Sequence, residues 1–137
     1  MTREYVLTLS ERQAQDLVLA LDAVVRLGIG QLKIIDELVQ SRHIARYDDN
    51  QAMWLGEARD KFREQLAGLS ALLGYPAHTS LGVGHQSVHP AIHRLTDLHD
   101  VLRHAVSWAR EPGGGFTVNF DEPVHYGDEP LPTVEVR

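Results

Sequence analysis

The 137-residue sequence contains no cysteine, and that absence removes thiolate zinc sites, iron–sulfur clusters, thiol nucleophiles and disulfide frameworks together. Any bound metal would have to be held by His, Asp and Glu. Basic charge is short as well. Thirteen Lys and Arg against nineteen Asp and Glu leave a net charge of −6, which argues against general nucleic-acid binding, because that activity needs a cationic surface to displace counterions from phosphates. No long apolar run occurs. The best candidate, "LVLALDAVVRLGIG", is interrupted by Asp22 and Arg26 and has helical periodicity, so it is not read as a membrane span. The opening "MTREYVLTLS" lacks the apolar stretch of a signal peptide. A cytoplasmic protein of one domain, 1–137, is expected, large enough to bury a core without a metal or disulfide.

The signatures of common enzymes are missing too. The residues after His89 are Pro90, Ala91 and Ile92, not the pattern H-E-x-x-H, and Ser87 lies near His85 and His89 without a G-x-S-x-G elbow. The carboxylate pairs Asp48 with Asp49 and Asp121 with Glu122 sit in turn contexts, where capping accounts for them. Catalysis is therefore not favoured, no catalytic residue is assigned, and no cofactor is expected.

What is present reads first as helix. After a short alternating stretch, Glu4 to Leu9, Ser10 and Gln13 form a capping box. Ala14, Leu17, Val18, Leu21, Val24 and Val25 then share one side of a helix that ends near Gly28 and Gly30. Leu32, Ile35 and Val39 restart the spacing in a second helix to about Arg42, and Asp48, Asp49 or Asn50 can cap the next one. A third helix is expected from Gln51 to Leu73, stopped by Gly74 and Pro76. The loop "GYPAHTSLGVGHQS" has neither period, and Pro90 opens a fourth helix that runs to about Arg110. The closing stretches "FTVNF", "VHY" and "TVEV" read as short strands. The expected architecture is thus α+β: about four helices, with a small antiparallel sheet made by the two ends of the chain.

The fourth helix carries the chemistry. At about 100° per residue, Leu95, Leu98, Leu102, Ala105 and Ala109 form one stripe, while His89, His93, Asp97, Asp100 and His104 form another almost opposite. His89, His93 and Asp97 have the spacing of metal ligands on one helical face, yet a single helix presents too few, so His78, His85 or His125 would have to complete a site. The alternative is a solvated face or subunit contact in which Asp97 pairs with His93 and Asp100 with His104. A third, narrower stripe holds His99, Arg103 and Arg110.

The cations are eleven Arg and only two Lys, a bias that suits bidentate recognition of phosphate or carboxylate, although GC-rich codon usage produces it equally well. Arg103 and Arg110 lead into Trp108, the "PGGGF" turn with Phe116, and Asn119. Guanidinium, indole, phenyl ring and amide are the groups that a nucleotide-like ligand engages. The "GGG" run follows a helix, whereas a phosphate-cradling loop precedes one, so a plain turn explains it. Trp54 belongs to the same wall or to the core.

Taken together, "LDAVVRLGIGQLKII" and "HDVLRHAVSWAREPGGGFTVNFDEPVHYGDEPLPTVEVR" resemble a family of small proteins predicted from bacteriophage and prophage genomes. The shared features are a G-x-G-Q step after the early helix, an R-H-x-x-x-W core in the late helix, and a Gly-rich, "EPLP" tail. The resemblance implies a phage context and carries no catalytic residues. Accessory phage proteins of this size include oligomeric sponges that sequester cyclic nucleotide signals of host defence. The leading expectation is accordingly a homo-oligomeric phage-type binding protein that captures a small anionic ligand, of the cyclic nucleotide class, without chemistry, through Arg103, Trp108, Arg110, Phe116 and Asn119. Its rivals are a protein-binding adaptor or inhibitor using the His/Asp face, and a metal-dependent hydrolase using His89, His93 and Asp97.

Overall fold

The structure, a computed structural model, describes residues 3–47 and 54–137. The chain divides into two compact units, one of Met1–Asp22 with Pro90–Arg137 and one of Ala23–His89. Its helices are α1 (Glu11–Gly28), α2 (Ile34–Gln40), α3 (Glu57–Leu72) and α4 (Pro90–Arg110), followed by a 3₁₀ turn at Val118–Phe120. None of them is long and apolar enough to cross a membrane.

The expected sheet is not there. Among the described residues there is no strand, so the α+β reading with an antiparallel sheet is replaced by a helical protein. Residues 4–9 and the "VHY" and "TVEV" stretches are extended or irregular, and part of "FTVNF" is the 3₁₀ turn. The reason is physical: alternation makes a strand only where a neighbour supplies ladder hydrogen bonds. The amides of Tyr126 and Gly127 go to a carboxylate instead. Pro123, Pro130 and Pro132 have no N–H to donate.

In the first unit the capping box forms as the sequence predicts. The Ser10 amide donates to Gln13 Oε1 at 2.9 Å, and the Gln13 amide donates to Ser10 Oγ at 3.2 Å. Glu11 lies 3.9 Å from Arg110, and Asp22 lies 4.0 Å from His99. As the numbering rises along α1 it falls along α4, so these stretches run side by side in opposite directions. Leu21 and Leu102 are their buried apolar residues. The 3₁₀ turn packs back on α4.

In the second unit the G-x-G-Q step ends α1. Gly30 has a φ of 90°, which side-chain-bearing residues avoid, and the Gln31 amide reaches back to the Arg26 carbonyl at 2.9 Å. A Cβ on Gly30 would fall 2.1 Å from the Tyr75 ring, so the ring lies directly on bare backbone. The loop after α3 is held there by the Leu81 amide, which donates to the Ile29 carbonyl (2.9 Å), and by Gln31, which donates to Ser80 (3.2 Å). The third helix starts at Glu57 rather than Gln51, behind Gly56 with a φ of 76°. The candidate caps Asp48, Asp49 and Asn50 lie outside the described residues. Asp36 on α2, almost fully buried, receives both Arg59 Nε (3.2 Å) and Nη2 (3.0 Å) from α3. That hydrogen bond pushes the Arg59 guanidinium above its ordinary pKa.

Candidate functional site

The imidazole and carboxylate stripe is covered at its middle: His89, just before α4, is exposed, His93, Asp100 and His104 are half-buried, and Asp97 is buried. Asp97 is 3% exposed, and its two oxygens accept the backbone amides of Tyr126 (2.7 Å) and Gly127 (2.8 Å). His125 Nε2 stands 3.5 Å from the same carboxylate and 2.6 Å from the Glu129 carbonyl. Nearly one turn earlier on the helix, Arg94 Nη1 donates to Asp128 Oδ1 at 3.0 Å. This hydrogen bond holds the Asp128 carboxyl below the usual carboxylate range.

The segment 125–129 is therefore strapped across the side of α4 that faces away from Leu102. A helix can bury two opposite stripes when the polar groups in one of them find partners. The expected pairs of Asp97 with His93 and Asp100 with His104 give way to others. Asp100 Oδ1 lies 2.8 Å from His99 Nδ1 and 3.4 Å from Arg103 Nη2. His93 Nε2, Arg103 Nε and His104 Nδ1 are buried without a hydrogen-bond partner.

The metal hypothesis rests on His89, His93 and Asp97. Among the described residues no group of three His, Asp or Glu has the geometry to hold an ion. Both oxygens of Asp97 are already committed to amides.

The residues assigned to the anion pocket separate into three environments. Arg103 is half-buried against Asp100, and Arg110 is exposed at the end of α4 near Glu11. Each guanidinium thus has a carboxylate of its own chain beside it. Trp108, in the last turn of α4, packs on the loop: its Nε1–H donates to the Phe120 carbonyl at 3.2 Å, and the two rings meet edge to face at 5.4 Å. Asn119, half-buried, sits within the 3₁₀ turn beside Phe120. Phe116 is 109% exposed and stands apart from that ring pair.

The glycine run has a packing reason. A Cβ on Gly114 would lie 2.9 Å from the Trp108 ring, and one on Gly115 would lie 2.6 Å from the Phe120 ring. Both rings rest on glycine backbone, the Gly114 amide donates to the Glu111 carbonyl at 2.9 Å, and the loop is closed at its base. Phe116 projects from the tip of that clamp. Trp54, by contrast, packs edge to face on Phe62 at 4.7 Å inside the second unit.

Sequence reasoning misses the strap because nothing in "VHYGDEP" has a period. Its one signal is Gly127, a glycine between the short stretch "VHY" and the charged "DEP". The Asp36–Arg59 pair has a plainer signal, an Asp inside the apolar run "IIDELV". No protein-family model, curated protein or solved structure matches this chain.

Proposed function

We propose that this is a non-catalytic binding protein that grips a protein target through the loop "GGGFTVNF", with Phe116 as the anchor. The carrying observation is a fully exposed phenyl ring on a loop clamped by Trp108, Phe120, Gly114 and Gly115. Contact energy in protein interfaces concentrates in aromatic anchors, and a rigid anchor loses little entropy on docking. Val118 and Val124, close by in the sequence, are exposed as well and add apolar surface. The adaptor reading is kept with its contact surface moved, since the strap covers part of the His/Asp face. The resemblance to phage and prophage proteins fits an accessory role in a host cytoplasm.

A photo-crosslinking phenylalanine analogue at position 116 tests this directly. It should capture one discrete target from host extract, and that target should bind the purified chain and lose affinity for Phe116→Ala. A Phe116→Ala protein that binds the captured target as tightly as wild type excludes the loop.

A second reading, the anionic-ligand sponge, is favoured by the Arg103 Nε and His104 Nδ1 atoms that lack partners. Incubation with cyclic nucleotides, removal of excess and denaturation separates the two. Intact ligand released in stoichiometric amount supports the sponge, altered ligand an enzyme, and none the protein contact.

A further inference from the structure

We propose that residues 3–9 pair with the same residues of a second copy of this chain, as an antiparallel two-stranded ribbon centred on Val6. The inference concerns a different surface from the Phe116 loop and does not rest on it. Tyr5, Val6 and Leu7 are 88%, 97% and 71% exposed. Among the described residues no backbone hydrogen bond joins residues 3–9 to the rest of the chain, and no strand offers an edge they could join. The capping box at Ser10 and Gln13 nevertheless fixes how the segment leaves α1. A row of unpaired amides and carbonyls flanked by alternating apolar side chains is a template for strand pairing.

The sequence of the segment selects the occupant. With Val6 opposite the partner's Val6, Tyr5 faces the partner's Leu7, Glu4 the partner's Thr8 and Arg3 the partner's Leu9. No like charges meet, and aromatic and branched side chains face each other, which is the favourable pairing across antiparallel strands. Directly opposed residues share a face, so Tyr5, Leu7 and Leu9 of both copies line one side, with Arg3 at each end of it where the charged head reaches water, while Glu4, Val6 and Thr8 line the other. Such a ribbon is amphipathic, and its apolar side closes against the bodies of the two copies, as a two-stranded ribbon needs for stability. A contact in which each copy supplies the same patch is the commonest closed symmetry. Tyr5 alone contributes about 200 Å², a quarter of the roughly 800 Å² that a standard interface takes from each partner, before Val6 and Leu7 are added. The other extended stretch, 129–137, is a poorer candidate because Pro130 and Pro132 cannot donate.

Sedimentation of the full chain should give twice 15.3 kDa, and Leu7→Lys should weaken dimerisation by about 100-fold or more with an unchanged circular dichroism spectrum. Because the chain has no cysteine, single thiols report the register. Residue 6 meets itself at a Cα separation of about 5 Å, which suits a disulfide. On mild oxidation V6C should cross-link to itself, E4C should not, and a mixture of E4C with T8C should. A wild-type chain that is monomeric at its highest soluble concentration, a dimer untouched by L7K, or V6C that fails to cross-link overturns the proposal. If L7K does not fold, the V6C result decides alone.

Discussion

Gly127 lies so close to the Asp97 carboxylate that a Cβ on it would stand 2.7 Å from Oδ2, with the Arg94 Cα only 3.2 Å away. The glycine is required by space, since its own amide is the donor that fills the oxygen. One residue on the helix and one on the strap therefore act as a single latch.

Asp97→Ala should lower stability by about 1.5–3 kcal/mol, the range for hydrogen bonds to a charged group. Gly127→Ala should weaken the same latch by collision. Because both changes release one strap, the double variant should cost less than the two single costs combined, with a coupling of at least about 0.5 kcal/mol. Urea unfolding of the four proteins measures it, and strict additivity would refute the latch.

The strap also has an acid-sensitive tie. Arg94 lowers the folded-state pKa of Asp128 relative to the unfolded chain. Folding therefore gains from the ionised pair at neutral pH, and the gain is lost as pH falls through the lowered pKa, where Asp128 protonates. Both groups face solvent, so the effect on stability is small and is read better by titration than by unfolding. In Arg94→Ala the pKa of Asp128, read from its carboxyl chemical shift, should move back to the ordinary carboxylate range.

What is legible in the sequence is whatever local periodicity encodes. The capping box at Ser10, the stop at Gly28–Gly30 and the start of α4 at Pro90 follow from residue types within one turn of the boundary. The burial of Asp97 does not follow, because its partners lie 29 and 30 residues away in sequence and a polar stripe on a helix reads as solvated until something covers it. The same blindness turns Glu4–Leu9 into half of a sheet. Alternation states that a segment can pair, not which edge receives it. Trp108, Phe116 and Asn119 are neighbours in sequence, but the structure turns Trp108 onto Phe120 and leaves Phe116 outside.

In the second unit, Arg59 and Arg63 both approach Asp36, at 3.0 and 4.0 Å. Arg59 binds through two nitrogens, and Arg63 is mostly exposed. Arg59→Ala strands a buried carboxylate, whereas Arg63→Ala removes a screened neighbour. The thermal midpoint should fall clearly in the first variant and hardly in the second, and equal falls would mean that Asp36 is held by general field rather than by the paired hydrogen bonds.

The loop presented by Trp108 yields the sharpest separation of stability from binding. Phe116→Ala removes a fully exposed ring, so stability should stay within about 0.5 kcal/mol while target affinity collapses. Gly115→Ala does the reverse at first: its Cβ meets the Phe120 ring at 2.6 Å, the clamp opens, and stability falls. Affinity then falls as well, because an anchor on a loosened loop must lose on docking the conformational freedom that the clamp had already removed. Trp108→Phe keeps an aromatic ring but deletes the hydrogen bond to the Phe120 carbonyl, a loss of about 1 kcal/mol. Exchange of the Gly114 and Phe120 amides, which donate to the Glu111 and Thr117 carbonyls, should therefore speed up in Gly115→Ala and Trp108→Phe and keep the wild-type rate in Phe116→Ala. Equal exchange in all three would show that the rings do not set the loop's rigidity, and Phe116 would lose its claim to be a prepared anchor.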